Sequence, residues 1–350
     1  MDNLIQTKKG PLVYLFFDGY DLQAHPGLWG KLFSKAHYII RMAKRSFLKQ
    51  QIHTGFYVAF VSLRDSLRLI GCDVRVNDFY GALKNPAYPI GIAGFPSVLE
   101  KTNHLPNPRI FGPGDFGLPE ACEKVAKDPR FVRLIQPSDW FSNIYKPFCG
   151  EKMMSWFVGI DTKKWPDLSL QAKDIDFLIY DKIRWHREAR VPAVLERIEA
   201  VLDARGLRHC TLRYGGHHSS EFKAALSRSR ALLFVCEHET QGLAYQEALA
   251  SNIPVLAWDE GVFIDPQMQQ HACAATGISA VPYFDDRCGM RFKIDEFETV
   301  CEAFCKKIND FKPRDYVQET LSMKRAGETW FKVYNAMINR KEKGGNLNEY

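Results

Sequence analysis

Two carboxylates on either side of a glycine make residues 239–255, ETQGLAYQEALASNIPV, the most informative chemical pattern in the chain. Glu239 comes first, Gly242 allows a ligand to approach the backbone closely, and Glu247 follows. Carboxylates accept hydrogen bonds from hydroxyl groups, and the free backbone N–H groups at the start of a helix bind anions. The pattern therefore suits an anionic ligand that also carries several hydroxyls, and a nucleotide sugar has both properties.

Apolar runs on both sides of this stretch predict the elements that position it. Residues 231–236 (ALLFVC) precede it and residues 253–258 (IPVLAW) end it, and short continuous runs of this kind suit buried parallel strands. The space between them holds one helix, which gives the order strand, loop, helix, strand. Because open parallel sheets bind ligands at the carboxyl ends of their strands, we expect the carboxylates to lie at that edge.

The complete pattern resembles the donor site of the large retaining glycosyltransferase family four (glycosyl transferases group 1), which has the GT-B fold. Seven residues separate the two glutamates, and the stretch contains G, EALA and a small-x-P-V ending. The resemblance implies that Glu239 lies near the donor sugar, that Glu247 binds the ribose hydroxyls, and that the backbone at Gly242 and Leu243 holds the diphosphate. It also implies an α/β fold of two Rossmann-like doubly wound domains facing across a cleft. The alternative is an ordinary amphipathic helix with two solvated glutamates.

Two cations follow the first strand that is predicted for the second half of the chain. Sugar transfer requires the growing charge of the leaving diphosphate to be stabilised. The family has an Arg and a Lys five residues apart at this place, and Lys182 and Arg187 have that spacing with the residue types exchanged. The exchange matters because Arg binds phosphate with two donors and Lys with a single charge. The resemblance implies that Glu239, Lys182 and Arg187 are catalytic. Arg184 and Arg190 compete for the role, and a solvated basic loop is the other interpretation.

Three further positions match the family less closely. Gly55 stands at a predicted helix start, where the family has a glycine-rich loop facing the donor, and a simple helix-entry glycine fits equally well. The loop at 112–117, GPGDFG, lacks the histidine that many members have there, so Asp115 is the nearest candidate for the sugar contact or else a turn residue. Gly216, in the turn before His217, lies where the resemblance implies the nucleobase.

Length and element order predict two domains, since 350 residues are many for one core. Residues 157–166 resemble the family's interdomain linker, because Gly159, Ile160 and Asp161 match the last three positions of its N-G-V-D-like segment. We expect an N-terminal acceptor-binding domain at 1–158, a donor domain at 159–323, a helix at 324–338 that can return to the N-terminal domain, and a mobile tail at 339–350.

Periodicity predicts individual elements within both domains. The predicted strands are 12–17, 74–76, 90–94, 109–111 and, as the last of the first domain, 132–136, followed by 177–180 and 211–214. The predicted helices outside the donor stretch and the C-terminus are 30–49, 55–70 and 192–205.

The net charge of +6 is concentrated in the helix predicted at 30–49, within an insertion of about residues 30–50. One face is apolar (Leu32, Ala36, Ile39, Ile40, Ala43, Phe47) and the other is basic (Lys31, Lys35, Arg41, Lys44, Arg45, Lys49). A basic amphipathic helix can lie on an anionic membrane surface, with each basic residue contributing about 1 kcal/mol. The alternative is a surface helix that packs its apolar face on its own domain.

Other sequence features indicate where in the cell the protein is located and which cofactors it requires. No run of about 18 uncharged apolar residues is present, and the first ten residues lack the apolar region of a secretory signal. Nine scattered cysteines without a CxxC pair fit a reducing compartment. We therefore expect a cytoplasmic protein, in contact with the inner face of the membrane if the basic helix binds it. Asp174-Ile175-Asp176 is the metal signature of a different glycosyltransferase fold, and we expect no metal, no other cofactor and no nucleic acid partner.

The resemblance implies a retaining glycosyltransferase that moves a sugar from a nucleoside diphosphate to a hydroxyl acceptor in glycan, polysaccharide or glycolipid synthesis. The acceptor is then a glycan, a lipid-linked sugar or another hydroxyl compound. Two alternatives stay open. One is a sugar-nucleotide epimerase or a phosphorylase on the same fold. The other is a non-catalytic partner that binds a nucleotide sugar, since the GPGDFG loop has no histidine.

Overall fold

The computed structural model describes residues 10–19, 22, 24, 27–47 and 55–342, and its strands form two separate sheets. The elements of the first half are β1 Leu12–Asp18, α1 Gly27–Phe47, α2 Gly55–Leu69, β2 Asp73–Val76, α3 Phe79–Lys84, β3 Ile90–Gly94, α4 Ser97–Thr102, β4 Arg109–Gly114, α5 Pro119–Lys127, β5 Phe131–Gln136, α6 Asp139–Cys149 and β6 Met153–Ser155.

The second half has the same alternation of strands and helices. Its elements are β7 Ile175–Lys182, α7 Arg187–Arg190, α8 Arg197–Ala204, β8 His209–Arg213, α9 Ser219–Arg228, β9 Ser229–Cys236, α10 Leu243–Ala250, β10 Val255–Trp258, β11 Gly289–Phe292, α11 Phe297–Lys307, α12 Pro313–Thr320 and α13 Met323–Glu342. A π-helical turn, Val191–Glu196, joins α7 to α8.

Both sheets are parallel throughout and doubly wound. The first has six strands in the order β2-β1-β3-β4-β5-β6, and the second has five in the order β11-β10-β9-β7-β8. The order reverses beside the first strand of each sheet, because β1 lies between β2 and β3 and β7 lies between β8 and β9. Ligands of open α/β sheets bind at such reversals. The prediction of two Rossmann-like α/β units is confirmed.

Continuous apolar sequence explains why the central strands lie inside. All of β1 except Leu12 is buried, and all of β9 except Arg230 is buried. Helices cover both faces of each sheet, so each of these strands needs apolar side chains in both directions. The alternation of apolar and polar residues that is typical of a strand with one exposed face is therefore missing from β1 and β9.

The last helix, α13, packs on the first sheet rather than on the second. Trp330 and Tyr334 are fully buried against α2 and the first sheet, together with Leu63. The Tyr334 hydroxyl donates a hydrogen bond to the Pro89 carbonyl (2.7 Å) and accepts one from the Tyr14 N–H (3.3 Å). Helix α13 therefore packs on the domain that contains β1.

Several boundaries differ from the sequence predictions. The strand at 132–136 is not the last of its domain, because β6 pairs beside it as a short edge strand. The strand predicted at 109–111 continues to Gly114 although Gly-Pro-Gly is typical of a turn. Residues 339–342 belong to α13 rather than to a tail, while 343–350 lie outside the described residues.

The insertion forms a helix, α1, as predicted, but only part of it is described. Lys49 lies outside the described residues, as do the side chains of Lys31, Arg45 and Phe47. No helix in the described ranges is both long and apolar enough to span a bilayer.

Candidate functional site

The topology of the second sheet brings the first predicted cation and the first predicted carboxylate together. Lys182 ends β7, and its Cα is in register with that of Cys236, which ends the neighbouring strand β9. Glu239 follows three residues later, and its carboxylate forms an ion pair with the Lys182 ammonium. The pair lies where the strand order reverses, between β7 and β9. This is the place where ligands of such sheets bind.

Burial and the opposite charge of the partner have opposing effects on the pKa values of Lys182 and Glu239. Burial alone favours the neutral forms, but the Glu239 charge outweighs it and raises the pKa of Lys182. Burial likewise raises the pKa of Glu239, and the nearby charges of Lys182 and Arg184 outweigh it so that the pKa falls below the ordinary value. Both groups are therefore charged at neutral pH. The Lys182 ammonium also lies over the Tyr214 ring, 4.4 Å from its centroid.

The turn after Glu239 requires the glycine that the sequence pattern contains. Gly242 has a φ of 82° at the start of α10. A Cβ at this position would lie 2.2 Å from the Tyr245 ring. The Tyr245 hydroxyl in turn accepts a hydrogen bond from the Tyr283 N–H (3.1 Å) and one from the Gln246 amide (3.2 Å). Close packing of this ring thus fixes the direction in which α10 leaves the strand edge.

Glu247 lies on α10 with a half-buried side chain that has no hydrogen bond or ion pair with any described residue. Burial raises the pKa of Glu247 to about 8, and the charge of Lys223 offsets only part of that effect. Burial is the main cause that raises the pKa of Tyr180 on β7, and the nearby charges of Glu247 and Glu239 add to it. A carboxyl group of this kind has unused capacity to accept hydrogen bonds from ligand hydroxyls.

Arg187, the second predicted cation, is held by a carboxylate of its own. Its guanidinium donates to both oxygens of Asp181 at 2.9 and 2.7 Å and also to the Ile183 carbonyl at 2.7 Å. Asp181 is almost fully buried, so this paired geometry fixes the direction of the Arg187 side chain. The competitor Arg184 instead donates to the His238 carbonyl at 2.6 Å and stacks on Trp185.

The first domain contacts the Glu239 loop through residues that the sequence prediction missed. The Trp140 indole, on the first turn of α6, donates to the Glu239 carbonyl at 3.0 Å. Gln241 bridges to the linker, since its side chain accepts from the Val158 N–H (2.8 Å) and donates to the Val158 carbonyl (2.9 Å). The sequence contains one hint of the first contact, because PSDW follows the β5 strand.

The weaker predicted positions are not brought into contact with this cluster in the described part of the chain. Gly55 starts α2, and a Cβ there would meet nothing within 4 Å. Asp115 accepts a hydrogen bond from the Gly117 N–H at 2.7 Å, which is the turn role. Gly216 is exposed after β8, beside His217, whose ring contacts Tyr180 edge-on.

Both aspartates of the DxD sequence form ion pairs with arginines of the same domain. Asp174 pairs with Arg228, and Asp176 pairs with Arg208 at 3.5 Å. Across the described residues, no group of three or more His, Cys, Asp or Glu side chains is arranged to hold a metal ion.

Solved structures with the same fold are similar to this chain over nearly its whole length. Sucrose-phosphate synthase from Thermosynechococcus elongatus matches with a TM-score of 0.53 and 12% identity, covering 94% of this chain and 99% of that one. The catalytic domain of starch synthase IV from Arabidopsis thaliana matches with a TM-score of 0.52 and 8% identity, covering 95% and 100%. The predicted GT-B arrangement of two Rossmann-like domains is thereby confirmed.

A further match is partial. TarM is similar with a TM-score of 0.49 and 13% identity over 71% of this chain, which spans about half (54%) of the TarM chain. No family model matches the chain, and no curated protein sequence matches it.

Proposed function

We propose that the protein is a glycosyltransferase that binds a nucleoside diphosphate sugar beside β7 and β9 and transfers the sugar to a hydroxyl acceptor. One observation carries the proposal. A largely buried cation, Lys182, pairs with Glu239 at the strand-order reversal of the second sheet, and a second carboxyl group, Glu247, lies on α10 after a helix start that only a glycine fits. The starch synthase domain of the same fold was captured with ADP and acarbose, which supports this class of donor.

Each side chain has a role that its surroundings suit. The carboxylate of Glu247 accepts hydrogen bonds from the ribose hydroxyls, for which it has free capacity. The diphosphate lies against the N–H groups at Gly242 and Leu243 and near the Lys182 charge, which stabilises the leaving group as its negative charge grows. Glu239, held by Lys182, orients the sugar. Arg187, anchored on Asp181, adds positive charge at the same edge. No metal is needed when cations and a helix start supply this charge.

Retention of anomeric configuration is part of the proposal, and the sequence resemblance supports it. The acceptor hydroxyl attacks the face from which the diphosphate departs, and the departing phosphate oxygen takes the acceptor proton. The anomeric coupling constant of the fresh product, measured by NMR and compared with that of the donor, tests retention. An inverted configuration contradicts it.

Donor binding is tested by thermal unfolding with UDP, GDP, ADP and dTDP sugars. We expect one nucleotide class to raise the Tm by several degrees, since a ligand at 100 times its Kd adds about 2.7 kcal/mol of stability. The Glu247→Ala variant should lose this shift, while Glu196→Ala, which removes an exposed glutamate of the same domain, should keep it. An equal shift in both variants, or no shift in the parent protein, contradicts the donor site.

A non-catalytic nucleotide-sugar-binding protein is the second candidate, and one observation favours it. The two cations that the resemblance assigns to the diphosphate are both paired with carboxylates, Lys182 with Glu239 and Arg187 with Asp181. Donor binding without turnover over a broad acceptor panel would support this candidate. Formation of an isomeric nucleotide sugar without any acceptor would instead indicate an epimerase.

A further inference from the structure

Helix α1 turns its apolar face away from the protein. Six large apolar side chains of α1 are more than half exposed: Leu28 73%, Trp29 83%, Leu32 53%, Phe33 59%, Ile39 57% and Ile40 68%. Elsewhere in the described chain, the exposed large apolar residues lie singly, apart from one pair on α3, Tyr80 and Leu83. Single exposed apolar residues are normal on soluble proteins, but a contiguous group marks an interaction surface.

The helical geometry shows that these residues form one stripe. At about 100° per residue, Leu28, Ile39, Leu32, Trp29, Ile40 and Phe33 fall within an arc of about 140° in that angular order. Ala36 and Ala43 lie in the same arc and are also exposed. We call this set the α1 stripe.

The opposite side of α1 faces the protein, and it is the polar side. Ser34 is buried, while His37, Tyr38 and Arg41 are half-buried. The Tyr38 ring lies 6.3 Å from the ring of Tyr57 on α2, which joins α1 to the first domain. A surface helix of a globular protein normally buries its apolar stripe and exposes its polar side. The sequence-based alternative, in which the apolar face packs on its own domain, is therefore wrong.

Positive charge borders the α1 stripe on both sides. Lys35 lies about 20° beyond Leu28 and Lys44 about 20° beyond Phe33 on the helical wheel. Both are exposed, and neither forms an ion pair with a residue that the structure describes. Over its length α1 carries five basic residues and no acidic one. The surface is thus apolar along its centre, with an aromatic side chain, Trp29, near one end and cations along its edges.

We propose that the α1 stripe seats the protein on an anionic lipid bilayer, with α1 parallel to the membrane plane. Apolar side chains enter the acyl boundary, Trp29 lies at the headgroup level, and Lys35 and Lys44 contact anionic headgroups. A second copy of the chain fits less well, because pairing two α1 stripes would bring two sets of basic residues together without acidic partners.

The contacts of α1 show where the α1 stripe lies relative to the cleft. Tyr57, which Tyr38 contacts, lies in the first turn of α2, and Phe56 beside it contacts Phe95 just after β3. These residues lie at the carboxyl edge of the first sheet, the edge from which Trp140 reaches the Glu239 loop. The bilayer would therefore lie beside the acceptor half of the cleft, so a membrane-bound acceptor could reach it. The surface itself does not depend on which reaction the cleft performs.

Vesicle cosedimentation of the full chain tests the proposal. The probes are vesicles of phosphatidylcholine alone and of phosphatidylcholine mixed with phosphatidylglycerol, at low and high salt. We expect tighter partition onto the mixed vesicles, weakened by salt. Lys35→Glu with Lys44→Glu should lower that partition by at least about 25-fold, since each cation contributes about fivefold. Trp29→Ser with Ile40→Ser should lower partition onto both kinds of vesicle.

Matched controls carry the same substitutions elsewhere on the surface. Lys163→Glu with Lys332→Glu and Leu170→Ser with Leu83→Ser change exposed residues outside α1 and should partition like the parent protein. All variants should keep the parent Tm and donor-induced shift, which separates this test from that of the donor site. Equal partition of the parent and α1 variants overturns the proposal. So does a parent dimer that the Trp29 and Ile40 substitutions convert to monomer without vesicles.

Discussion

At the residue scale, the largely buried Lys182–Glu239 ion pair links the stability of the protein to the proposed reaction. Burial acts against both charges, and the opposite charge of the partner is the largest effect that keeps each group ionised. Removing one partner leaves a buried charge without compensation, whereas removing both charges can be nearly neutral. The pair therefore allows the structural and the chemical contributions of Lys182 to be separated.

We expect Lys182→Ala to lower the free energy of unfolding by about 3–5 kcal/mol, because Glu239 is left unpaired. The same change should lower kcat by about 10²–10³-fold through loss of charge stabilisation. Adding Glu239→Gln should restore much of the stability without restoring kcat. Chemical denaturation and steady-state kinetics measure the two effects, and full recovery of kcat in the double variant would contradict the role of Lys182.

Glu247 predicts a pH dependence of donor binding. Its pKa in the folded protein is about 8, above the ordinary 4.5, so it is largely protonated at neutral pH. If the carboxylate binds the ribose hydroxyls, the donor Kd should rise about tenfold for each pH unit below 8. Glu247→Gln should remove this slope. Isothermal titration between pH 6 and 9 checks it, and a flat profile in the parent protein would exclude a role for the ionised group.

The raised pKa of Glu247 also makes the stability of the folded protein depend on pH. A carboxyl group whose pKa is raised by folding favours the folded state below its unfolded pKa, and this contribution is lost as pH rises through the folded value. For Glu247 the loss spans pH 4.5 to about 8. The Tm of Glu247→Gln should therefore exceed that of the parent protein above pH 8 and approach it near pH 5, as measured by thermal unfolding at both pH values.

At the element scale, the direction of α10 depends on one backbone position. Gly242 has positive φ and no room for a Cβ beside Tyr245. Gly216, in the turn after β8, has neither restriction, because its φ is ordinary and the nearest atom to an added Cβ is 3.4 Å away. Gly242 and Gly216 thus differ in whether their positions accept a side chain, which the sequence alone does not show.

Gly242→Ala should destabilise the fold by at least about 1 kcal/mol through its positive φ alone, with the collision against Tyr245 adding to this. The Tm should fall by at least about 2 °C, and the donor Kd should rise because the start of α10 moves. Gly216→Ala should change the stability by less than about 0.5 kcal/mol. Similar Tm values for the two variants would show that the α10 start tolerates a side chain.

At the scale of the whole molecule, α13 and the Glu239 loop tie the two domains together. Trp156, at the end of the first domain, donates its indole N–H to the Ala326 carbonyl of α13 at 2.9 Å. The Tyr283 hydroxyl of the second domain donates to the Pro137 carbonyl at 2.5 Å, close to the Trp140 contact. These hydrogen bonds join segments that are far apart in the chain, and the stability of the first domain depends on the packing of α13 against it.

Two tryptophans give a direct test of this dependence. Trp330→Ala should lower the free energy of unfolding by about 3–5 kcal/mol, because a fully buried ring is replaced by a cavity between α13 and the first sheet. Trp29→Ala, at a ring that is 83% exposed, should change it by less than about 0.5 kcal/mol. Denaturant titration measures both, and equal effects would contradict the packing of α13.

Much of the fold could be predicted from the sequence because its signals are local. Apolar runs predicted β1, β3, β9 and β10, and the pattern at residues 239–255 predicted the loop before α10. The short edge strand β6 was missed because three residues carry no period. The end of β4 was missed because Gly-Pro-Gly is typical of a turn, whereas here it continues the strand.

The candidate site was predictable only in part, for a related reason. The spacing of Glu239, Gly242 and Glu247 is a property of one loop and one helix, so the sequence specified it. The ion pair of Lys182 with Glu239 depends on β7 and β9 being neighbours, which the sheet order decided. The Asp181 anchor of Arg187 and the Trp140 contact carry no spacing that a sequence pattern could show.

The sequence by itself thus determined the α/β alternation, the two-carboxylate stretch and the amphipathic character of α1. Only the tertiary structure decided which side of α1 packs on the protein, and it is the side with Ser34 and Tyr38, leaving the apolar side exposed. The physical reason is common to these cases. Periodicity records which residues share a face, but the partner of that face is chosen by contacts between segments far apart in the chain.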